Sequence, residues 1–407
     1  MRLGQAAWKL VQSPVVVFAI ALTTRLWALS QLLPDKAWQF FYQYNEFAHI
    51  ASAVASGHGY SSPWANTPLA PTAVEPPVYA YLLAGIFRLA GVYSYASLWI
   101  AVGLNALLSA TTAVLILRFG SRMFGPSAGV LAAWLWSCWL YEAAVAVRLW
   151  ESSLSALLLM IGLLLLPELD TSLRVSRWLR FGVLAGVSAL TNTSLLSVFP
   201  FFWLWLWISH RRRKQSCNRQ LLASVGVFLI MLVPWTIRNY VTFGRLIPVR
   251  DNFGLELWLG NHEGVTHVFD NDFPILNPAE YNRLGEIRFM EAKRQIALQF
   301  IAHHPGEFLR LSMWRCFRYW TAPDASLWLP ISLLAWAGML LLLWRKRWDA
   351  VPYAIVLVFF PLIYYVTHTF NSYRHPTEPV MFLLASYAAV CALKAVSVGR
   401  TLLSADL

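Results

Sequence analysis

A succession of apolar runs, each long enough to cross a bilayer, constrains this chain more than any other feature. A spanning helix needs about 20 mostly apolar residues. Such runs occur at roughly 14–33, 96–117, 127–147, 152–168, 220–237, 325–344, 351–369 and 379–397. A further stretch, 181–208, is too long for one span and is broken by Thr191-Asn192-Thr193-Ser194, so it reads as two short helices joined by a polar turn. Charged residues make up only 13% of the 407 positions, too few to cover a soluble surface of this size. The net charge of +12 lies in short clusters between the apolar runs. That is the pattern of positive-inside anchoring rather than the basic stripe of a nucleic-acid-binding face. The four cysteines are scattered and show neither metal-ligand spacing nor a disulfide framework. The sequence therefore predicts an all-α polytopic membrane protein with about ten transmembrane helices, its first apolar run being an uncleaved span.

The basic clusters orient these helices. Arg174, Arg177 and Arg180 precede the broken stretch, and Arg211, Arg212, Arg213 and Lys214 follow it, so both flanks are expected inside. Residues 77–92 are apolar but short. Counting them as a span would put Arg118 and Arg122 outside, so they are read as a helix lying at the outer interface. With that choice Arg2, Lys9, Arg345-Lys346-Arg347, Lys394 and Arg400 also fall inside, and both termini are cytoplasmic. The chain then divides into a transmembrane module over 1–237 containing a first outer loop at 34–95, a second outer loop over 238–324, and C-terminal transmembrane helices over 325–407. Short outer turns lie around Arg148–Glu151 and Asn371–Pro379.

Acidic residues are scarce, so their positions carry information. Glu46 follows the first span, on a segment whose Phe47, Ile50, Ala51 and Val54 suit a helix lying on the membrane surface. It reads either as a general base at that surface or as a solvated glutamate. His49, three residues on, shares its face, but without a second Glu-x-x-His pair the spacing does not indicate a metal. Glu142, Arg148 and Glu151 lie where one span ends and the next begins, as functional groups or as an Arg148–Glu151 pair closing the turn. Glu75 sits among prolines and reads as mainly structural. Arg238 and Asn239 leave the end of a span at the outer interface. The arginine suits either a phosphate or a snorkelling anchor. The Gly- and Asn-rich run ending in Asn261 and His262 reads as a loop near the membrane facing substrate. Arg374 and His375, in the short turn FNSYRHPTEP, suggest an anion at headgroup depth.

Six stretches in this order carry a resemblance: NEFAHIASAVASGHGYSSP, PTAVEPPVYAYLLAGIFRLAGVYS, RLWESSLSALLL, GVLAGVSALTNTSLLSVFP, PWTIRNYVTFGRLIPVRDNFGLELWLGNH and SYRHPTEPV. Together they make the chain similar, over nearly its whole length, to the polyprenyl-phosphate-dependent GT-C glycosyltransferases of the family-39 group. That group holds protein O-mannosyltransferases and the transferases that add aminoarabinose to lipid A. The resemblance implies the GT-C fold, with interfacial helices in the first outer loop and Glu46 in the position of the catalytic base, where many relatives have Asp. It implies a second acidic position at Glu151 and places Arg374 near the donor phosphate; His375, Arg238 and Arg148 are expected to join Arg374 there, with Glu75 and His49 on the acceptor side. Thr193 departs from the family, which often has proline after the asparagine. The expected activity is inverting transfer of a sugar, hexosyl or pentosyl, from a polyprenyl-phosphate donor to a hydroxyl of a glycan, lipid or protein. It would occur on the periplasmic face of a bacterial inner membrane, without cofactor or metal. The rival readings are a lipid or glycolipid flippase, which would favour paired repeats and ionisable groups near the midplane, and a non-catalytic protein that kept the fold.

Overall fold

The computed structural model describes residues 2–32, 42, 45–64, 67, 69–265 and 278–405. The opening of the expected first outer loop and the 266–277 part of the second lie outside these residues. The described chain is helical throughout and contains no β-strand; a single isolated bridge joins Ser61 and Pro71. In chain order the helices are α1 (Arg2–Val11), α2 (Pro14–Leu32), α3 (Glu46–Ala55), α4 (Pro77–Ala90), α5 (Tyr95–Phe124), α6 (Pro126–Cys138) and α7 (Leu140–Ala146). They continue with α8 (Ser152–Asp170), α9 (Val175–Thr191), α10 (Phe199–Arg212), α11 (Asn218–Phe243), α12 (Phe253–Gly260), α13 (Pro278–Leu284) and α14 (Glu286–His303). The last are α15 (Pro305–Thr321), α16 (Ala325–Trp344), α17 (Val351–Phe359), α18 (Leu362–Val366) and α19 (Glu378–Ala405).

Among the described residues, eight helical segments are long and apolar enough to cross a membrane, and the pair α6 and α7, bent by 62°, makes a ninth candidate. The expected break in the long apolar stretch falls at Asn192. Its extended backbone ends α9, and its side chain accepts a hydrogen bond from the Ser194 amide, starting a short 3-10 turn before α10. α9, at 17 residues, is not among these segments, which leaves nine of the expected ten when the bent pair is counted as one span and eight when it is not. As expected, 77–90 forms a helix too short to cross, with proline at its first turn.

Close helix contacts rest on small residues. A Cβ on Gly182 would lie 2.2 Å from the Ser224 carbonyl oxygen, which brings α9 and α11 together. A Cβ on Gly338 would lie 2.2 Å from the Leu384 oxygen, joining α16 to α19. Without a hydrophobic drive between helices in lipid, such small-residue contacts are the usual means of tight packing. The break between α6 and α7 exposes backbone carbonyls at membrane depth, where each needs a partner. Arg25, buried in α2, supplies two: it donates to Trp136 O and Ser137 O at 2.8 Å each, while Thr24 Oγ1 donates to Ser137 O at 2.7 Å.

Above the bundle the two outer segments are tied together by backbone contacts. The Asp251 amide donates to Ala73 O at 2.8 Å, and the Ala73 amide donates to Glu286 Oε1 at 2.6 Å. Val74, Leu255, Tyr281, Phe289 and Met290 form a small apolar core between them. Gly254 allows α12 to approach α14 closely, since a Cβ there would meet Met290 O at 2.0 Å.

Candidate active site

Glu46 opens α3. Asn45, the N-cap, accepts from the Ala48 amide at 2.8 Å and donates from Nδ2 to Leu149 O at 2.7 Å, which fixes the helix start against the turn before α8. The Glu46 carboxylate is partly exposed and accepts a hydrogen bond from Trp64 Nε1 at 3.2 Å. Burial pushes its pKa above the ordinary value, and the Trp64 bond only partly offsets this.

Beside it stands a cation that the sequence reading had not singled out, Arg250. It reaches Glu75 Oε1 at 3.1 Å and Glu256 Oε1 at 3.3 Å, and its Nε donates to Val74 O at 2.9 Å. Burial works to lower its pKa, but the charges of Glu75, Glu256 and Glu151 outweigh that and hold it above normal. Glu75 is pushed well up by burial, with Arg250 opposing. Glu256 also accepts from Asn252 Nδ2 at 2.5 Å and lies 3.3 Å from His368 Nδ1. His368 Nε2 is 3.1 Å from the Tyr373 hydroxyl, Tyr373 stacks on Tyr364 with centroids 4.8 Å apart, and the Tyr364 hydroxyl is 2.7 Å from Ser194 Oγ. Glu151, the second expected acid, accepts from Asn192 Nδ2 at 3.1 Å. Its other oxygen has no hydrogen-bond partner, and burial raises its pKa to about 8. Glu46, Glu75, Glu151 and Glu256 lie close enough for their charges to shift one another, with Arg250 central to them.

Several sequence expectations land elsewhere. Arg238 was expected to grip a phosphate. Instead it spends its donors on Thr72 O (2.6 Å), Tyr60 O (2.8 Å) and Asn239 Oδ1 (3.0 Å), against the rings of Tyr60, Trp235 and Phe243. It is a clasp between the outer segments, not a free cation. Asn239 Nδ2 donates to Ile247 O at 2.9 Å, and Asn261 Nδ2 donates to Leu257 O and Val366 O, so both shape backbone. His262 stacks on Trp258, with Nδ1 2.9 Å from its carbonyl. His49 Nδ1 contacts the Tyr93 hydroxyl at 3.1 Å. Arg374 and His375 are fully buried: Arg374 Nε donates to Glu378 Oε1 at 2.9 Å, and His375 Nδ1 is 2.6 Å from Glu142 Oε2. Among the three arginines and one histidine expected at a phosphate, Arg148 alone stays exposed, its guanidinium 5.9 Å from the Phe370 ring centre. The Arg148–Glu151 pair considered for this turn is not among the ion pairs formed; Glu151 is held by Asn192. Arg250, Glu256 and His368 could have been found from the polar cluster in PVRDNFGLELW and the histidine closing a span, but nothing local marks them as neighbours of Glu46.

Residues 74–237 match the sequence family described as dolichyl-phosphate-mannose-protein mannosyltransferase. No curated protein matches the chain by sequence. Among solved structures, an apo oligosaccharyltransferase from Archaeoglobus fulgidus superposes with a TM-score of 0.56 at 11% identity, covering 96% of this chain and 51% of that one. The archaeal oligosaccharyltransferase AglB from the same organism, in complex with an inhibitory peptide and a dolichol-phosphate, gives 0.51 at 12% identity, covering 96% and 52%. ArnT from Cupriavidus metallidurans, bound to undecaprenyl phosphate, gives 0.49 at 17% identity, covering 92% and 59%. The chain thus spans between about half and three-fifths of the length of these proteins. With the shared architecture over most of its length the chain has the GT-C fold, and its residues 74–237 are similar to the protein-mannosyltransferase family.

Proposed function

We propose that the protein transfers a sugar from a polyprenyl-phosphate donor to an acceptor hydroxyl on the periplasmic face of a bacterial inner membrane, with inversion. The observation that carries this reading is Glu46: a partly exposed carboxylate at the start of a helix outside the spans, held by one indole N–H and set among Arg250, Glu256 and Glu151. The chemistry follows from that placement. The carboxylate takes the acceptor proton as the oxygen attacks the anomeric carbon from the face opposite the phosphate. The C–O bond to phosphate breaks with its electron pair, and the polyprenyl phosphate leaves. Phosphate is a competent leaving group, so one displacement suffices and no covalent enzyme intermediate is required. Arg148 is the exposed cation available to meet the charge that builds on the departing phosphate. The largely enclosed Arg250 holds Glu75 and Glu256 rather than the donor.

The test is transfer from a panel of radiolabelled polyprenyl-phosphate sugars into a membrane extract, with Glu46→Gln alongside. Removing a general base is expected to cost roughly 10²–10⁴-fold in rate. Because burial raises the Glu46 pKa and the base must be ionised, kcat/KM rises with pH through an acid limb lying above the ordinary glutamate value. Transfer unchanged in Glu46→Gln would remove the base. Absence of transfer from every donor by folded protein would remove the enzymatic reading.

A further inference from the structure

Away from Glu46, inside the bundle, three residues from three elements converge: Glu142 on α7, His375 in the 3-10 turn 371–377, and Glu378 opening α19. All three are fully buried, and each offers a ligand atom within 4.8 Å of the others. His375 Nδ1 lies 2.6 Å from Glu142 Oε2 and 3.3 Å from Glu378 Oε2. These contacts are short, yet neither has hydrogen-bond geometry. Both Glu142 oxygens, Glu378 Oε2 and both His375 nitrogens are left with no hydrogen-bond partner. The nearby arginines do not remedy this. Arg374 delivers one N–H to the cluster, to Glu378 Oε1 at 2.9 Å, and turns its others to the carbonyls of Tyr319 and Ala322. Arg25 gives its donors to Ser109 Oγ and to the carbonyls at the α6–α7 break.

Carboxylate oxygens buried without donors are costly, and ionisable groups in a membrane interior ordinarily serve a purpose. Two carboxylates and one imidazole with ligand atoms within 4.8 Å of one another are a donor set suited to a divalent ion. We propose that Glu142, His375 and Glu378 bind a structural zinc ion, with Glu142 able to supply both oxygens and complete four ligands. Arg374 then acts from outside the ligand set, orienting the Glu378 carboxylate. The ion fastens α7, the 371–377 turn and α19 to one another. It holds in place Tyr373, two residues before His375, which meets His368 and Tyr364 at the proposed active site. The ion takes no part in sugar transfer, so this inference stands or falls independently of the proposed activity.

The full-length protein, carrying an affinity tag without histidine, would be expressed in zinc-replete medium, purified in detergent and analysed by mass spectrometry for metal. About one zinc per chain is expected, falling at least tenfold in His375→Gln and Glu142→Gln and unchanged in Arg148→Gln. Wild type with less than a tenth of an ion per chain from zinc-replete medium, or ligand variants that keep their metal as an ion held elsewhere would, overturns the proposal. Should the ligand variants fail to fold, wild type grown with cobalt decides. The visible absorption of cobalt in a low-symmetry nitrogen–oxygen site supports the assignment, and its absence leaves a shared-proton cluster instead.

Discussion

Replacing Arg250 by methionine tests whether the acidic cluster around Glu46 depends on one cation. Arg250 and Glu75 are largely enclosed, with side-chain exposures of 21% and 7%, whereas Glu256 is 26% exposed and keeps Asn252 and His368 as partners. The loss therefore falls mainly on Glu75. Removing one member of a buried ion pair costs about 3–5 kcal/mol, because the remaining charge is left unpaired. The lost Nε bond to Val74 O adds about 1 kcal/mol. The pH dependence has a definite sign. A carboxyl whose folded pKa lies above its unfolded value binds more protons when folded, so its contribution to stability falls as pH rises from the unfolded toward the folded pKa. Glu75 is already such a group, and without Arg250 its pKa moves further up. The deficit of Arg250→Met is therefore larger at pH 8 than at pH 5, read as thermal unfolding midpoints in detergent. Adding Glu75→Gln should recover about 2 kcal/mol or more in a double-mutant cycle. Strictly additive single effects, or a deficit independent of pH, would refute the reasoning.

Three further outcomes follow from the same contacts. Arg148→Gln should lower kcat/KM for transfer by roughly 10–100-fold, the worth of a charge-assisted contact, and leave the unfolding midpoint unchanged because the side chain is exposed; a shifted midpoint with intact kinetics would make it structural. Gly182→Leu should sharply reduce the yield of folded protein, since its Cβ alone would sit 2.2 Å from Ser224 O, whereas Gly85→Ala in α4, with nothing within 4 Å, should be neutral or stabilising by about 0.5–1 kcal/mol. Glu151→Gln should change stability little near pH 4 but raise it relative to wild type progressively as pH rises toward about 8, because wild type must ionise a buried carboxyl over that window; equal midpoints across that range would show that Glu151 is not raised.

The sequence by itself determined what local chemistry controls. Apolar run length fixed the spans, because a helix in lipid satisfies its own backbone and needs only enough apolar residues to cross. Asn192 marked the break between α9 and α10, because an asparagine side chain competes with the helix for its backbone. The shortness of 77–90 kept α4 out of the count of spans. Glu46 was legible as a candidate because an acid just beyond a span is rare, and the family resemblance gave it a role. Partnership was not legible. Arg238, Arg250, Arg148 and Arg374 are alike in sequence, each a cation near the end of an apolar stretch. Tertiary structure made the first a clasp on backbone carbonyls, the second an ion-pair partner of Glu75 and Glu256, the third an exposed guanidinium and the fourth a buried partner of Glu378. Whether a charge is available to a ligand depends on which groups have already claimed it, and some of those contacts, Arg238 with Tyr60 and Arg250 with Glu75, join residues more than a hundred positions apart.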